Sequence, residues 1–248
     1  MNKLLKTCLL AAVSAWSVAT LAAGPTVPLD KANVNLHDKE SLQRGAQLFM
    51  NYCLGCHQMQ YQRYNRTFRD LEIPEDIGAA NLQFTGEKVG DLITNTMSTQ
   101  QANAWFGTAA PDLTLVARVR GADWLYTYFR SFYVDETRPF GVNNTVFENV
   151  GMPHVLQELQ GVPRKTYESR MIDGEMQDVY VGIKTDGSGM LTTEEFDTAM
   201  NDLTNFLVYT GEPMLLEQRR IGWYSFGFLL VFTILAWLLK REFFKDVK

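Results

Sequence analysis

Asn51-Tyr52-Cys53-Leu54-Gly55-Cys56-His57 is the stretch on which the reading of this 248-residue chain turns. It contains C-x-x-C-H, the spacing of c-type haem attachment. Two thiols three residues apart on a helical turn reach one edge of a porphyrin and add across its vinyl groups. The histidine that follows presents its imidazole to the iron. A thioredoxin-type redox pair and a zinc knuckle compete for the same letters. The redox pair belongs at a helix start after a strand, and here a helical pattern precedes the motif. A zinc knuckle needs further ligands, yet the other histidines are His37 and His154, and there is no second C-x-x-C. The residues therefore point to one haem c, bound covalently through Cys53 and Cys56, with His57 as an axial iron ligand.

Upstream, Asp38 reads as the N-cap of a helix running from Lys39 to Tyr52. Leu42, Gly45, Leu48, Phe49 and Tyr52 recur at helical spacing on one face. Gly45 costs this helix about 1 kcal/mol relative to Ala, and close approach of another helix would account for it. The partner lies far downstream. Thr192-Thr193-Glu194-Glu195 is a capping box, with Leu191 and Phe196 placed as a hydrophobic staple. The apolar stripe continues through Met200, Leu203, Phe206 and Leu207 until Gly211-Glu212-Pro213 stops it. Terminal helices crossing at a glycine are the packing of class I c-type cytochromes, which this layout resembles. Asp173-Gly174 marks a hairpin turn. Residues 65–108 and 135–148 read as loop-rich.

Asp186 to Phe196 imitates the second half of an EF-hand loop, with Gly189 at the sharp turn and Glu195 last. Its first ligand position is then Lys184, a cation where a carboxylate is required. Val179 to Ile183 also reads as a strand instead of an entering helix, so a turn followed by a capped helix explains the letters without calcium.

The second axial ligand is harder to read. Met59 is too near His57 to reach the opposite haem face, Met171 and Met176 flank the hairpin turn, and Met200 sits on an apolar stripe. Met152 lies in Val150-Gly151-Met152-Pro153-His154, a Gly/Pro-punctuated loop where backbone can approach a flat cofactor. Spacing favours Met152 only weakly, with His154 beside it as the rival; bis-His ligation would give a lower potential.

Both ends of the chain are apolar. Residues 1–23 carry Lys3 and Lys6, an apolar run from Leu9 to Leu21, then Ala22 and Ala23, the pattern of a cleaved signal peptide that takes Cys8 with it. Ile221 to Leu239 holds no charge over 19 residues, is flanked by Arg219, Arg220, Lys240 and Arg241, and carries Trp223, Tyr224 and Trp237 near its ends. That is a membrane-spanning helix with aromatic belts. The expected organisation is a signal at 1–23, a periplasmic haem domain at 24–220, a span at 221–239 and a cytoplasmic tail at 240–248.

Composition then falls into place. The whole chain is 46% hydrophobic with a mean hydropathy of −0.15 and a net charge of −5, averages that hide its apolar ends and argue against nucleic-acid binding. Residues 24–220 hold 17 bases and 26 acids, a net charge of −9.

Together these features resemble the cytochrome c1 family, the haem subunits of bacterial cytochrome bc1 complexes. The matching residues are Arg44-Gly45, Cys53-x-x-Cys56-His57-x-Met59-x-Tyr61-x-x-Tyr64, Pro111-Asp112-Leu113 with Arg118 and Arg120, Gly151-Met152-Pro153, Phe206-Leu207, Glu212-Pro213 and the C-terminal span. By that resemblance Met152 is the axial ligand opposite His57. Pro111 contributes its carbonyl to orient the His57 ring, and Arg120 pairs with a haem propionate. The implied fold is mainly α: a class I cytochrome c-like domain with long loop insertions and a small β-hairpin, plus one transmembrane helix. The implied role is one-electron transfer from a Rieske iron–sulfur protein to a soluble periplasmic cytochrome c. Cytochrome b and the lipid membrane would be neighbours, within a dimeric quinol:cytochrome c reductase, and the chain would perform no bond chemistry of its own. A haem c subunit of a terminal oxidase or nitric oxide reductase shares the chemistry, but the 95 residues from His57 to Met152 exceed the span of a compact cytochrome. A haem sensor or peroxidase needs an open coordination position.

Overall fold

The computed structural model describes residues 27–86, 88–172 and 174–245. The expected signal segment lies outside them. The first helix, α1 (Lys39–Leu48), starts where the Asp38 carboxylate accepts the Ser41 N–H at 3.0 Å. It does not run on as an α-helix to Tyr52. From Phe49 to Cys53 the backbone widens into a π-turn, with Leu54 N–H donating to Phe49 O at 3.0 Å. Phe49, Met50 and Cys53 are all buried there, and the wider turn lets three neighbouring side chains share the interior side. Such π segments are rare and concentrate at functional sites.

The expected loop region 65–108 carries more structure than its sequence advertises. After β1 (Met59–Arg63) come α2 (Tyr64–Asp70), α3 (Glu75–Asn81), β2 (Leu92–Ile93), antiparallel to β1, and α4 (Thr99–Phe106). These helices are of seven or eight residues, too short for a period to stand out. α4 does announce itself by a capping box, Ser98 with Gln101. Then follow α5 (Val116–Arg120), α6 (Ala122–Arg130) and the antiparallel pair β3 (Phe132–Val134) and β4 (Val142–Asn144), the latter inside the expected loop 135–148.

A short helix, α7 (Gln157–Gln160), leads into β5 (Pro163–Ile172) and β6 (Glu175–Thr185), paired from Pro163↔Thr185 to Ile172↔Glu175 around the expected turn. Gly174 there has φ +86°, a conformation that favours glycine. The hairpin's two strands hold 10 and 11 residues. Its apolar and polar residues do not alternate cleanly, so its extent is hard to read from the letters.

The long helix α8 (Thr193–Gly211) begins at the capping box: Glu195 N–H donates to Thr192 Oγ1 at 3.3 Å and Thr192 N–H to Glu195 Oε2 at 2.9 Å. It packs on α1, α5, α6 and α7. Leu42, Phe49, Met200, Leu203 and Phe206 are 0–1% exposed in this contact region, each worth roughly 1.5–3 kcal/mol of burial. Gly45 sits where α1 meets α8: a Cβ there would run into the Asp202 carbonyl and lie 2.7 Å from Phe206 Cβ. Polar bonds lock the same contact. Arg44 Nε donates to Asp202 Oδ2 at 2.6 Å, Ser41 Oγ to Asp202 Oδ1 at 2.6 Å, and Asn205 Nδ2 to Ser41 Oγ at 2.8 Å.

The last helix, α9 (Leu215–Phe243), is apolar and long enough to cross a membrane from Glu217 to Phe243, overrunning the expected 221–239 at both ends. From Ile221 to Phe243 its large apolar side chains are exposed, a pattern that water would penalise. Arg241 lies over the Trp237 ring at 5.6 Å near one end.

Candidate functional site

The turn after the π segment carries the two thiols and the imidazole to one place. His57 N–H donates to Cys53 O at 2.8 Å and Cys56 N–H to the same carbonyl at 3.1 Å, so the C-x-x-C-H residues curl around one oxygen. Cys53, Cys56 and His57 line a cleft of about 1020 Å³, counting its open mouth. The rest of its wall is largely apolar, including Tyr52, Phe106, Phe147, Val150 and Pro153. Pro111 and Met152 line it too, so the structure brings together all the sequence-predicted site residues except Arg120.

The imidazole is held from behind. His57 Nδ1–H donates to Pro111 O at 2.8 Å; a carbonyl only accepts, so Nδ1 carries the proton and Nε2 keeps its lone pair. Burial lowers the His57 pKa, opposed by the Pro111 bond, which favours a neutral ring at neutral pH. The carbonyl is fixed in turn. Leu113 N–H donates to Gln58 O at 2.9 Å, and Asp112 accepts the N–H of Gln60 at 2.7 Å and of Thr114 at 2.9 Å. Segment 111–114 is thereby fastened to the chain just beyond His57. Such an outer hydrogen bond sets the tautomer and orientation of a metal-binding histidine.

The thiols are free cysteines. Burial pushes the Cys53 thiol up to about 12, with the neighbouring Cys56 adding to it, and burial raises Cys56 as well. A nucleophilic redox cysteine needs the opposite shift. Among the described residues no three His, Cys, Asp or Glu side chains gather as a metal cluster, so a zinc knuckle has no ligand set. An apolar cleft with two close thiols on one wall, a lone-pair nitrogen and a thioether fits a flat, hydrophobic, thiol-linked iron macrocycle.

Met152 comes from the loop between β4 and α7. Asn149 enters it with φ +61° and is held by its N–H donating to Asn143 Oδ1 at 2.9 Å. Tyr128 O–H donates to Met152 Sδ at 3.5 Å. His154 is turned to other partners: it is 8% exposed, stacks on Phe132 at 4.7 Å, and shares a 2.7 Å hydrogen bond between Nε2 and Gln160 Oε1. It is absent from the cleft wall. Of the other methionines, Met59 and Met200 are fully buried and Met171 and Met176 are exposed on the hairpin. Arg120 stands outside the cleft, its guanidinium over Trp124 at 5.0 Å and over Phe147 at 5.7 Å. Phe147 is itself a wall residue, so Arg120 is one aromatic ring from the cleft. Tyr128 is among the site residues that sequence reasoning missed, with the wall residues Phe106 and Phe147; its place at i+4 from Trp124 on α6 was the available signal.

Comparison with known proteins agrees with this geometry. The chain matches the Cytochrome C1 family over residues 30–247. It is 52% identical to the cytochrome c1 of Allochromatium vinosum over 92% of this chain and 93% of that protein. It is 42% identical to a protein of Nitrosomonas europaea named ammonia monooxygenase gamma subunit, over 99% of each. It is 25% identical to the cytochrome c1 of Blastochloris viridis, over 86% of this chain and 83% of that one. With its thiols, imidazole and apolar C-terminal helix thus accounted for, the chain belongs to the cytochrome c1 family, membrane-anchored electron-transfer subunits of bc1-type complexes that carry one covalently bound haem c.

Proposed function

We propose that this chain takes single electrons from a Rieske iron–sulfur protein and hands them to a soluble periplasmic cytochrome c. In this reading Cys53 and Cys56 would hold the haem as thioethers, and His57 and Met152 would ligate its iron. The observation that carries it is the meeting of these four side chains on one apolar cleft, with the His57 ring tied to Pro111 O. When bound, the haem supplies a one-electron Fe(III)/Fe(II) couple. The chain's residues do the rest. Pro111 keeps the Nε2 lone pair of His57 available, the apolar walls exclude water, and Met152 would supply a second ligand to the iron. With His57 and Met152 both bound, the iron would offer oxygen or peroxide no open position. Arg120, now stacked on Trp124 and Phe147, is within one ring of the cleft and would swing to a propionate. The contact of α1 with α8 at Gly45 supports a class I cytochrome arrangement, and α9 would tether the domain on the periplasmic face, near cytochrome b.

The test is twofold. The oxidised protein should display the near-infrared methionine-to-iron charge-transfer band, and Met152→Leu should abolish it; a band that survives the substitution sinks the ligand assignment. Gentle detergent extraction should recover a b-type cytochrome and a Rieske protein with this chain. Recovery with a terminal oxidase, or with a monooxygenase as the name of the Nitrosomonas relative suggests, would move it to another complex.

A further inference from the structure

We infer that the Tyr128 hydroxyl is a positioning residue that raises the haem's reduction potential by hydrogen bonding to the sulfur of Met152. This deepens the proposed function and rests on Met152 being an axial ligand. The bond spans 3.5 Å from Tyr128 Oη to Met152 Sδ, and among the described residues this hydroxyl has no other hydrogen-bond partner. Tyr128 is 8% exposed, and its ring is clamped on several sides. It stacks on Trp124 at 4.9 Å with the planes 11° apart, and meets Phe132 edge-on at 5.3 Å and Phe129 at 5.8 Å. Its backbone carbonyl accepts from Asn144 Nδ2 at 2.8 Å, fastening α6 to β4 at the root of the Met152 loop. These contacts hold the ring and aim its hydroxyl at the Met152 sulfur.

A thioether sulfur has two lone pairs and is a weak acceptor. With one pair on iron, the other remains for the Tyr128 O–H. The positive end of that O–H dipole then points at the sulfur and the iron beyond it. Electron donation from sulfur to Fe(III) falls, and an added positive charge on iron is disfavoured. Reduction is favoured, more so because the site is apolar and weakly screened. A phenol, with an ordinary pKa of about 10, is protonated at neutral pH and so can donate.

The experiment is potentiometric titration of the assembled, detergent-extracted complex carrying Tyr128→Phe, which deletes the hydroxyl and keeps the stacked ring. The expected result is an intact methionine-to-iron band and, at a fixed ambient potential near the midpoint, an oxidised-to-reduced ratio about fivefold higher, the scale of one neutral hydrogen bond. At 59 mV per decade that is about 40 mV lower. An unchanged or higher potential with the band intact overturns the inference. So does loss of the band, which would make Tyr128 a structural support of the loop alone. Absence of the band from the wild type defeats the ligand assignment itself, a different failure. If the variant does not assemble, redox-difference infrared spectra of wild type with ring-labelled tyrosine decide. A C–O mode that shifts on reduction supports the coupling, and a silent tyrosine region overturns it.

Discussion

Replacing Gly45 by alanine pits two rules against each other, and the structure says which wins. On helix propensity alone Ala stabilises α1 by about 1 kcal/mol. The added Cβ, however, collides with the Asp202 carbonyl and sits 2.7 Å from Phe206 Cβ. The first obstacle is backbone and cannot rotate away, so α1 and α8 must separate. Overpacking of this kind costs about 1–3 kcal/mol. Separation also stretches the bonds of Ser41 and Arg44 to Asp202, now 2.6 Å each, at about 1 kcal/mol apiece if lost. The net is about 2–3 kcal/mol of destabilisation. For a domain of this size each kcal/mol moves the melting temperature by about 2–4 °C, so thermal unfolding followed by Soret circular dichroism should shift down by roughly 5–10 °C. A melting temperature equal to or above wild type would refute the reasoning and return Gly45 to a propensity defect.

Other outcomes follow from single contacts. Tyr209→Phe removes a hydroxyl that donates to Asp70 Oδ2 at 3.0 Å and accepts from Gln62 Nε2 at 3.1 Å; with Gln62 2% exposed, denaturant unfolding should report a loss of about 1–3 kcal/mol. Asp186 accepts from Ser188 Oγ, Ser188 N–H and Val162 N–H, which hold its carboxyl at about 2. A carboxyl depressed below its unfolded value of about 3.9 contributes stability that is complete above that pH and fades as pH falls toward 2. The stability gap between wild type and Asp186→Asn should therefore be widest above pH 5 and close on acidification; a gap independent of pH contradicts it. Electron transfer to a soluble acceptor should slow as ionic strength rises, since residues 24–220 carry −9; salt-independent rates would remove that charge from the account.

What was legible in the sequence is what depends on neighbours along the chain. The Asp38 cap, the Thr192–Glu195 box, the Asp173-Gly174 turn and the apolar helix are local patterns, and C-x-x-C-H needs five letters. Gly45 was legible because a glycine inside a helix demands a reason. The π-turn from Phe49 to Cys53 was not, because α and π turns use the same residues and burial chooses between them. Helices α2 and α3 hide because seven residues hold barely two turns. The Tyr128–Met152 bond joins residues 24 apart across two elements, and no period or spacing announces such a pair.

The grip on His57 comes from a main-chain carbonyl, and that shapes how the site can change over time. Every substitution at position 111 still leaves a C=O, so no single codon change deletes the acceptor. Alanine scanning is blind to it. Only a shift in chain register, an insertion or deletion between His57 and Asp112, or loss of the Asp112 and Leu113 tethers can withdraw it. Variation in this segment should therefore be tolerated in side chain but not in length.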